Sequence, residues 1–515
     1  MSTPATGSFD PSTDRTTHAS GEYRRRDTVS VVDDIVVSRR PLTATRLNDA
    51  AISLLRELDD ETFRSPARVA AATDHDLESV DHLFERLAQR DFLEWRPMCD
   101  PDHTPPVSVV ITVRNDRDHL ERSLDSLSKL AYPEYEVLVV DDGSTDGTKE
   151  LVESQETTGY STRLVSVGDA DDPIGIGASR NRGVEAATYD TIAFTDADCQ
   201  PRSEWLVDLT PCLAVADLVG GRVRPAGESA ASVYEGLNSS LDMGAYASRV
   251  DPAGDTPYLA TANLVGRRDV FEEIPFPERN VAEDVEVCWD ALDAGYDVVY
   301  TPTGVVEHDY RDEPLAFATR RAVYGASEVL LASTHDRDDS RVGIPGIALL
   351  VAGLGVIGVI SSGMVAMGAL ALVVAVLGLT AGLHGWRGWR RSRRLAPVIS
   401  STDLVESWGR RQLSTAYALS REVTRYYALP IALLAGVCLA VGPRWIGAGG
   451  VVTLAIVVAL PAVVEYSIHE PSTSRTCFAA YYLADHLGYQ VGVYRGGVAH
   501  GTVEHLRPDA RFRIA

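Results

Sequence analysis

The sequence predicts an α/β domain with a mostly parallel sheet, set behind a small hairpin-and-helix domain and ahead of membrane helices. Three observations predict it. Apolar strand-like runs alternate with amphipathic helical stretches from residue 107 to residue 196, a shorter helical pattern repeats before residue 97, and four long apolar stretches crowd the region beyond residue 342.

Taken in order, residues 1–27 are rich in Ser, Thr and Asp and are expected to be disordered, with no cleavable leader. Residues 28–97 read as one small domain. "TVSVVDDIVVS" gives a hairpin, and "LNDAAISLLREL" places Leu47, Ala51, Leu54, Leu55 and Leu58 at helical spacing. "DLESVDHLFERLAQRDFL" repeats that pattern. The arrangement is close to a winged helix, but its richness in Asp and Glu argues against DNA as a partner. Pro101, Pro105 and Pro106 form the linker.

The main block spans 105–335. "VSVVITV" is a buried strand, "HLERSLDSLSKL" a helix with Leu120, Leu124, Leu127 and Leu130 on one side, and "YEVLVV" the next strand. A helix, "RLVSV", another helix and "TIAF" continue the alternation. Beyond it, apolar runs at 343–360 and 364–383 form one hairpin (343–383), and runs at 426–441 and 446–464 form a second (426–464). The third run is short and holds Pro430. Between the hairpins, 384–425 carries "HGWRGWRRSRR" and Arg410, Arg411, Arg421 and Arg425, whereas the hairpin turns carry only Arg444. The positive-inside rule places that loop, both termini and the main block in the cytoplasm of a multi-pass membrane protein. The tail, 465–515, reads as an amphipathic segment on the membrane surface.

The net charge of −25, with Lys129 and Lys149 the only lysines, resembles adaptation to high salt and excludes a broad nucleic-acid face. The six cysteines are scattered without CxxC or metal spacing, which fits a reducing compartment.

In an open parallel sheet, ligands bind beyond the carboxyl ends of the strands. "RND" (Arg114 to Asp116), "DDGSTD" (Asp141 to Asp146) and "TDADC" end three strands on one edge, and "ASRNRG" opens the helix before the last of them. Asp196 and Asp198, one residue apart, point to the same side in extended backbone. Such a pair suits Mg2+ or Mn2+, which takes one or two carboxylates plus substrate phosphates, although it also suits a plain strand-to-turn junction. At the end of the second strand, an aspartate accepts from a uracil imide or a ribose hydroxyl. Arg180 has the reach of a phosphate ligand or of a salt bridge.

Together with "AEDVEVCWDALDAGYDV", these motifs resemble the family-2 glycosyltransferases of the GT-A fold, from residue 107 to about residue 310. The resemblance implies a nucleotide-sugar donor, a divalent metal and inversion at the anomeric carbon. It implies that Asp142 contacts the base, Asp196 the ribose or sugar, and Asp198 the metal. Arg114 stands where the family commonly has a tyrosine. Asp284 is then the catalytic base, with Glu283 orienting it or the acceptor; a helix-start carboxylate is the alternative for both. His308 completes the metal's coordination or is a capping histidine. Asn263, in "YLATANLVGRRDVF", faces the sugar or acceptor. The absence of QxxRW disfavours long processive synthesis.

The order of domains narrows the likeness. A PqqD-like peptide-recognition module, a glycosyltransferase block, "RRAVYGASEVL", hydrophobic spans and "YYLADHLGYQVGVYRGG" resemble the glycosyltransferases of the mycofactocin system. This implies transfer of glucose from UDP-glucose to a peptide-derived redox cofactor and its growing β-glucan. A membrane glycosyltransferase acting on a polyprenyl phosphate, another lipid or a cell-surface glycan is the alternative, and an inactive peptide-binding scaffold the third.

Overall fold

The computed structural model describes residues 20–39, 42–155, 160–278, 281–310, 313–334, 399–442 and 444–502. The small domain begins earlier than expected. Strand β1 (Gly21–Arg25) lies within the stretch predicted to be disordered, and is followed by β2 (Val29–Val32), β3 (Ile35–Arg39) and β4 (Leu42–Arg46). Helices α1 (Asp49–Arg56), α2 (Pro66–Thr73) and α3 (Leu77–Ala88) and strand β5 (Leu93–Pro97) complete it. β1 pairs antiparallel with β5, so Glu22 faces Arg96 and Arg24 faces Glu94; the two ion pairs close at 2.7 and 2.9 Å. Those four charges hid the strand from a hydrophobic reading, while Tyr23 between them is 1% exposed and meets Phe84 edge-on. Each helix starts on a side-chain cap, with Asn48, Ser65 and Asp76 accepting from the N–H three residues on.

The main domain follows the predicted alternation: β6 (Val107–Val113), α4 (Arg117–Leu127), β7 (Tyr135–Asp142), α5 (Thr148–Glu153), β8 (Ser161–Gly168), α6 (Ile176–Ala186) and β9 (Thr191–Asp196). Next come β10 (Cys199–Pro201), α7 (Trp205–Leu209), β11 (Leu218–Gly220), β12 (Val223–Pro225), α8 (Ala230–Asn238), β13 (Ser248–Arg249), β14 (Leu264–Arg267), α9 (Arg268–Glu273), α10 (Glu283–Asp293), β15 (Val298–Tyr300) and β16 (Val306–His308). Eight strands form one sheet in the order β13-β15-β11-β14-β9-β6-β7-β8, parallel from β9 through β8, with β14 antiparallel between β9 and β11. Its strands are apolar on both faces because helices cover both; every residue of β7 is buried. A second, three-stranded sheet, β10-β16-β12, sits beyond the carboxyl end of β9.

Cys99 and Cys212, 113 residues apart, form a disulfide, which corrects the expectation of reduced cysteines for this pair. Spacing gave no sign of it, since the fold alone brings the linker against the 3-10 turn Thr210–Ala214.

After β16, α11 (Pro314–Thr334) runs 21 residues. The predicted hairpin at 343–383 lies outside the described residues. Residues 401–422, expected as a basic loop, form one helix, α12 (Ser401–Glu422), continued through a five-residue π turn into α13 (Ala428–Val441). Pro430 removes the donor for the Tyr426 carbonyl, and the Tyr494 hydroxyl supplies one at 2.5 Å. α14 (Arg444–His469) and α15 (Arg475–His500) follow. Stretches 420–441 and 447–469 are long and apolar enough to cross a membrane, and less than a fifth of each is buried.

α15, in the tail segment expected on a membrane surface, packs along α11. A Cβ at Gly492 would stand 1.9 Å from the Ala322 carbonyl, and one at Gly325 2.1 Å from that of Tyr489. Beside this seam, Arg321 is 5% exposed and bridges Glu235 (2.6 Å) and Asp485 (3.3 Å), and the Tyr234 hydroxyl donates to Asp485.

Candidate active site

Loops at the carboxyl edge of the parallel strands knit together before they meet any ligand. After β6, Asn115 takes a left-handed backbone (φ 52°); its N–H donates to Ser144 Oγ and its Oδ1 accepts from the Thr145 N–H. Arg114 reaches across to the Ala170 carbonyl at 3.2 Å. Asp142, 6% exposed, accepts from the Ile174 and Gly175 N–H groups at 2.8 and 2.9 Å, one on each carboxylate oxygen. In this structure Asp142 therefore fixes the loop that leads into α6.

The next cluster is built around Arg180. It projects from α6, is 2% exposed, and pairs with Asp196 at 3.0 Å and Glu283 at 2.6 Å, with its guanidinium over the Phe276 ring. The expectation that Arg180 reaches a phosphate is corrected: both amino groups are spent holding carboxylates from β9 and α10 side by side. Desolvating a guanidinium is costly, and two carboxylates offset that cost. Glu283, buried against this arginine, is an anchor for the start of α10. Asp284 follows it, partly exposed, with Oδ1 accepting the Val285 N–H. Burial, then the Glu283 charge, pushes the Asp284 carboxyl up to about 7, with Arg180 pulling the other way. Such a value suits a base working near neutral pH. Ala282, just before this helix, sits at φ 57°, an uncommon conformation for a residue with a Cβ, at the point where the carboxylates are aimed.

Asp198 lies past the end of β9. Pairing of β10 with β16 sets Cys199 directly opposite His308, which brings His308 Nε2 to 3.6 Å from Asp198 Oδ1. His308 is 8% exposed, its ring rests 4.5 Å from that of Tyr310, and its Nδ1 has no partner among the described residues. Asp198, Cys199 and His308 offer ligand atoms within 4.8 Å of one another. Burial, followed by the Asp198 and Asp196 charges, raises the Cys199 thiol well above its ordinary range. An oxygen-and-imidazole pair with phosphate oxygens as further ligands is what the donor set fits, and Mg2+ or Mn2+ suits it.

Asn263 requires a correction. It is 1% exposed; its Oδ1 accepts from Trp205 Nε1, and its Nδ2 donates to the Arg222 and Gly304 carbonyls at 3.0 and 2.7 Å. Every polar atom is used inside the fold, behind the crevice, so the side chain faces no sugar.

Sequence reasoning missed one participant. A cavity of about 40 Å3 holds Asp198 and His308 together with Tyr310, Arg320 and Tyr324. Arg320 Nε donates to the Tyr324 hydroxyl at 3.0 Å, and its guanidinium feels both Asp198 and Asp196. The signal was present in "RRAVYG", where Arg320 and Tyr324 are four residues apart and share a helix face.

The model for "Glycosyl transferase family 2" matches residues 108–274. A pre-mycofactocin glycosyltransferase of Mycobacterium tuberculosis is 35% identical over 261 residues, half of this chain and 53% of its own. Glycosyltransferase AglE of Haloferax volcanii is 36% identical over 205 residues, covering 38% of this chain and 64% of its own. The chain thus spans between half and two thirds of the length of these two relatives. Among solved structures, a mannosyltransferase from Pyrobaculum calidifontis, in complex with GDP-Man and Mn2+, covers 60% of this chain and 87% of its own at 20% identity and a TM-score of 0.38. Residues 108–274 thus match the family 2 glycosyltransferase domain, carried within a longer chain.

Proposed function

We propose that the protein is an inverting hexosyltransferase that takes glucose from UDP-glucose and places it on a hydroxyl of a ribosomal-peptide-derived redox cofactor of the mycofactocin type, then on the growing β-glucan. The observation that carries the reading is a pair of acidic groups with different jobs on either side of Asp196, whose charge acts on Asp284 and which precedes Asp198 by two residues. Asp284, held near neutral pKa beside Arg180 and Glu283, takes the acceptor's hydroxyl proton, while Asp198 and His308 lie where a leaving diphosphate needs countercharge.

Inversion needs one base on the acceptor side and charge stabilisation on the leaving side. Glu283 and Arg180 fix the first turn of α10, so Asp284 does not wander. Arg320 supplies positive charge on the diphosphate side. A divalent Mg2+ or Mn2+, held by Asp198 and His308, would neutralise the departing diphosphate. Asp142 and Arg114 lie on the loops that would receive the base, and Asp196 would contact the ribose or sugar. The peptide-derived acceptor is supported by the likeness to the pre-mycofactocin enzyme and by the separate domain over residues 21–97, proposed as the PqqD-like recognition module.

A second reading has an observation of its own. The exposed apolar helices α13 and α14 suit an acceptor carried on a lipid. In either reading the chain sits in the cell membrane with the catalytic domain in the cytoplasm. Incubating the full chain with UDP-glucose, other nucleotide sugars and a cell extract, and following products by mass spectrometry, decides between them. A glucosylated peptide-derived product supports the first reading; a hexosylated lipid replaces it with the second; no hexosylated product of any kind overturns both.

A further inference from the structure

Beyond the catalytic crevice, the end of α8, the face of α12 and the last turn of α14 border a second, half-open cavity of about 220 Å3. It is lined by Leu237, Asn238, Ser239, Tyr417, Arg421, Glu465 and His469. Glu465 is its unusual member. It is 7% exposed, one carboxylate oxygen accepts from the Tyr417 hydroxyl, and the other has no hydrogen-bond partner among the described residues. A buried carboxylate oxygen without a donor is unfavourable, and a ligand bearing hydroxyl donors would satisfy it.

The other walls narrow the ligand. Arg421 disfavours a cation and Glu465 disfavours an anion, which leaves a neutral molecule. Asn238, Ser239, Tyr417 and His469 provide both donors and acceptors, the pattern that vicinal hydroxyls require. Location adds to this. Glu465 and His469 close the apolar stretch 447–469 of α14, and Ser239 also lines the cavity that holds Asp198 and His308. Ser239 Oγ is 2.7 Å from the Tyr310 hydroxyl, whose ring lies against His308, so the two cavities share one wall of hydrogen-bonded side chains.

We propose that this cavity is a saccharide subsite, holding hydroxyls of an already glycosylated acceptor while its free end lies in the catalytic crevice; the proposal rests on the glycosyltransferase reading. The test uses the full chain in lipid nanodiscs and p-nitrophenyl β-cellobioside as probe, titrated calorimetrically, with UDP-glucose titrated separately. The wild type should bind the cellobioside saturably. Glu465→Gln and Arg421→Met should each weaken it about tenfold, the loss of one hydrogen bond to a charged group, with UDP-glucose affinity unchanged. Asn238→Ala, a smaller change remote from the Tyr417 contact, should also weaken it and guards against a folding defect in the other two. Absence of saturable cellobioside binding, or variants that bind it like the wild type, overturns the subsite. Failure of the donor reading shows separately, as absence of UDP-glucose binding to the wild type.

Discussion

Two buried arginines in this protein have the same immediate chemistry and different settings. Arg180 bridges Asp196 and Glu283, and Arg321 bridges Glu235 and Asp485; each guanidinium is 5% exposed or less and each has two carboxylates. The Arg180 group opens on one side, since the Asp196 side chain keeps 27% of its surface and Asp284 stands next to it. The Arg321 group is closed, both carboxylate side chains being 8% exposed. Burial raises the Glu235 carboxyl, with Arg321 opposing. One triad aims acidic groups at a crevice; the other fastens α15 to the catalytic domain. A buried ion pair reveals its purpose by whether one edge is left open.

The largest effect should come from the open side. Asp284→Asn should lower kcat about a thousandfold, in line with the loss of a general base, with the circular dichroism spectrum unchanged. Asp198→Asn should remove the metal dependence of donor turnover while leaving the thermal unfolding curve in place, and unchanged metal-dependent activity would cancel the Asp198 assignment. Next, Arg180→Met and Arg321→Met should each cost about 3–5 kcal/mol in denaturant unfolding, because two buried carboxylates lose their partner. The comparison breaks if both variants lose activity in equal proportion once refolded fractions are matched. Only the Arg180 change should shift the pH profile of the surviving enzyme.

That profile is the fourth test. With the Asp284 carboxyl near 7 in the folded chain, kcat/KM should rise as pH climbs through about 7, where the base loses its proton. The linkage sign is opposite for stability. The folded state holds a proton that the unfolded state has already released, so this group favours folding at acid pH. That contribution declines between the ordinary carboxylate range and about 7. Smallest is Asn263→Ala, which should destabilise the domain by about 1–3 kcal/mol through unsatisfied partners and leave the donor KM where it was.

How much of this was legible in the sequence depends on the kind of signal. The strands β6, β7 and β9 announce themselves as apolar runs, and the motifs at their ends were placed on one edge correctly, because strand direction fixes where those ends lie. β1 was lost because its pairing is written in opposed charges. Arg180 and Asn263 were assigned to ligands because a sequence shows that a side chain can hydrogen-bond but not which neighbours the fold supplies. The meeting of Asp198 with His308, 110 residues apart, was expected only through a family likeness; the register of β10 on β16 gives it a physical basis. Glu465 gave no sequence signal at all, since a lone carboxylate at the end of an apolar helix resembles an ordinary helix end.

The contact of Gly492 with Ala322 and of Gly325 with Tyr489 bears on how the enzyme can be made in the laboratory. Cutting the chain after residue 334 to obtain a soluble catalytic fragment would strip a tightly fitted splint from α11 and uncover its face of small residues at Ala318, Ala322 and Gly325. A workable fragment would have to retain residues 475–500 on a tether, or carry bulkier side chains at Ala318, Ala322 and Gly325 to fill the trough.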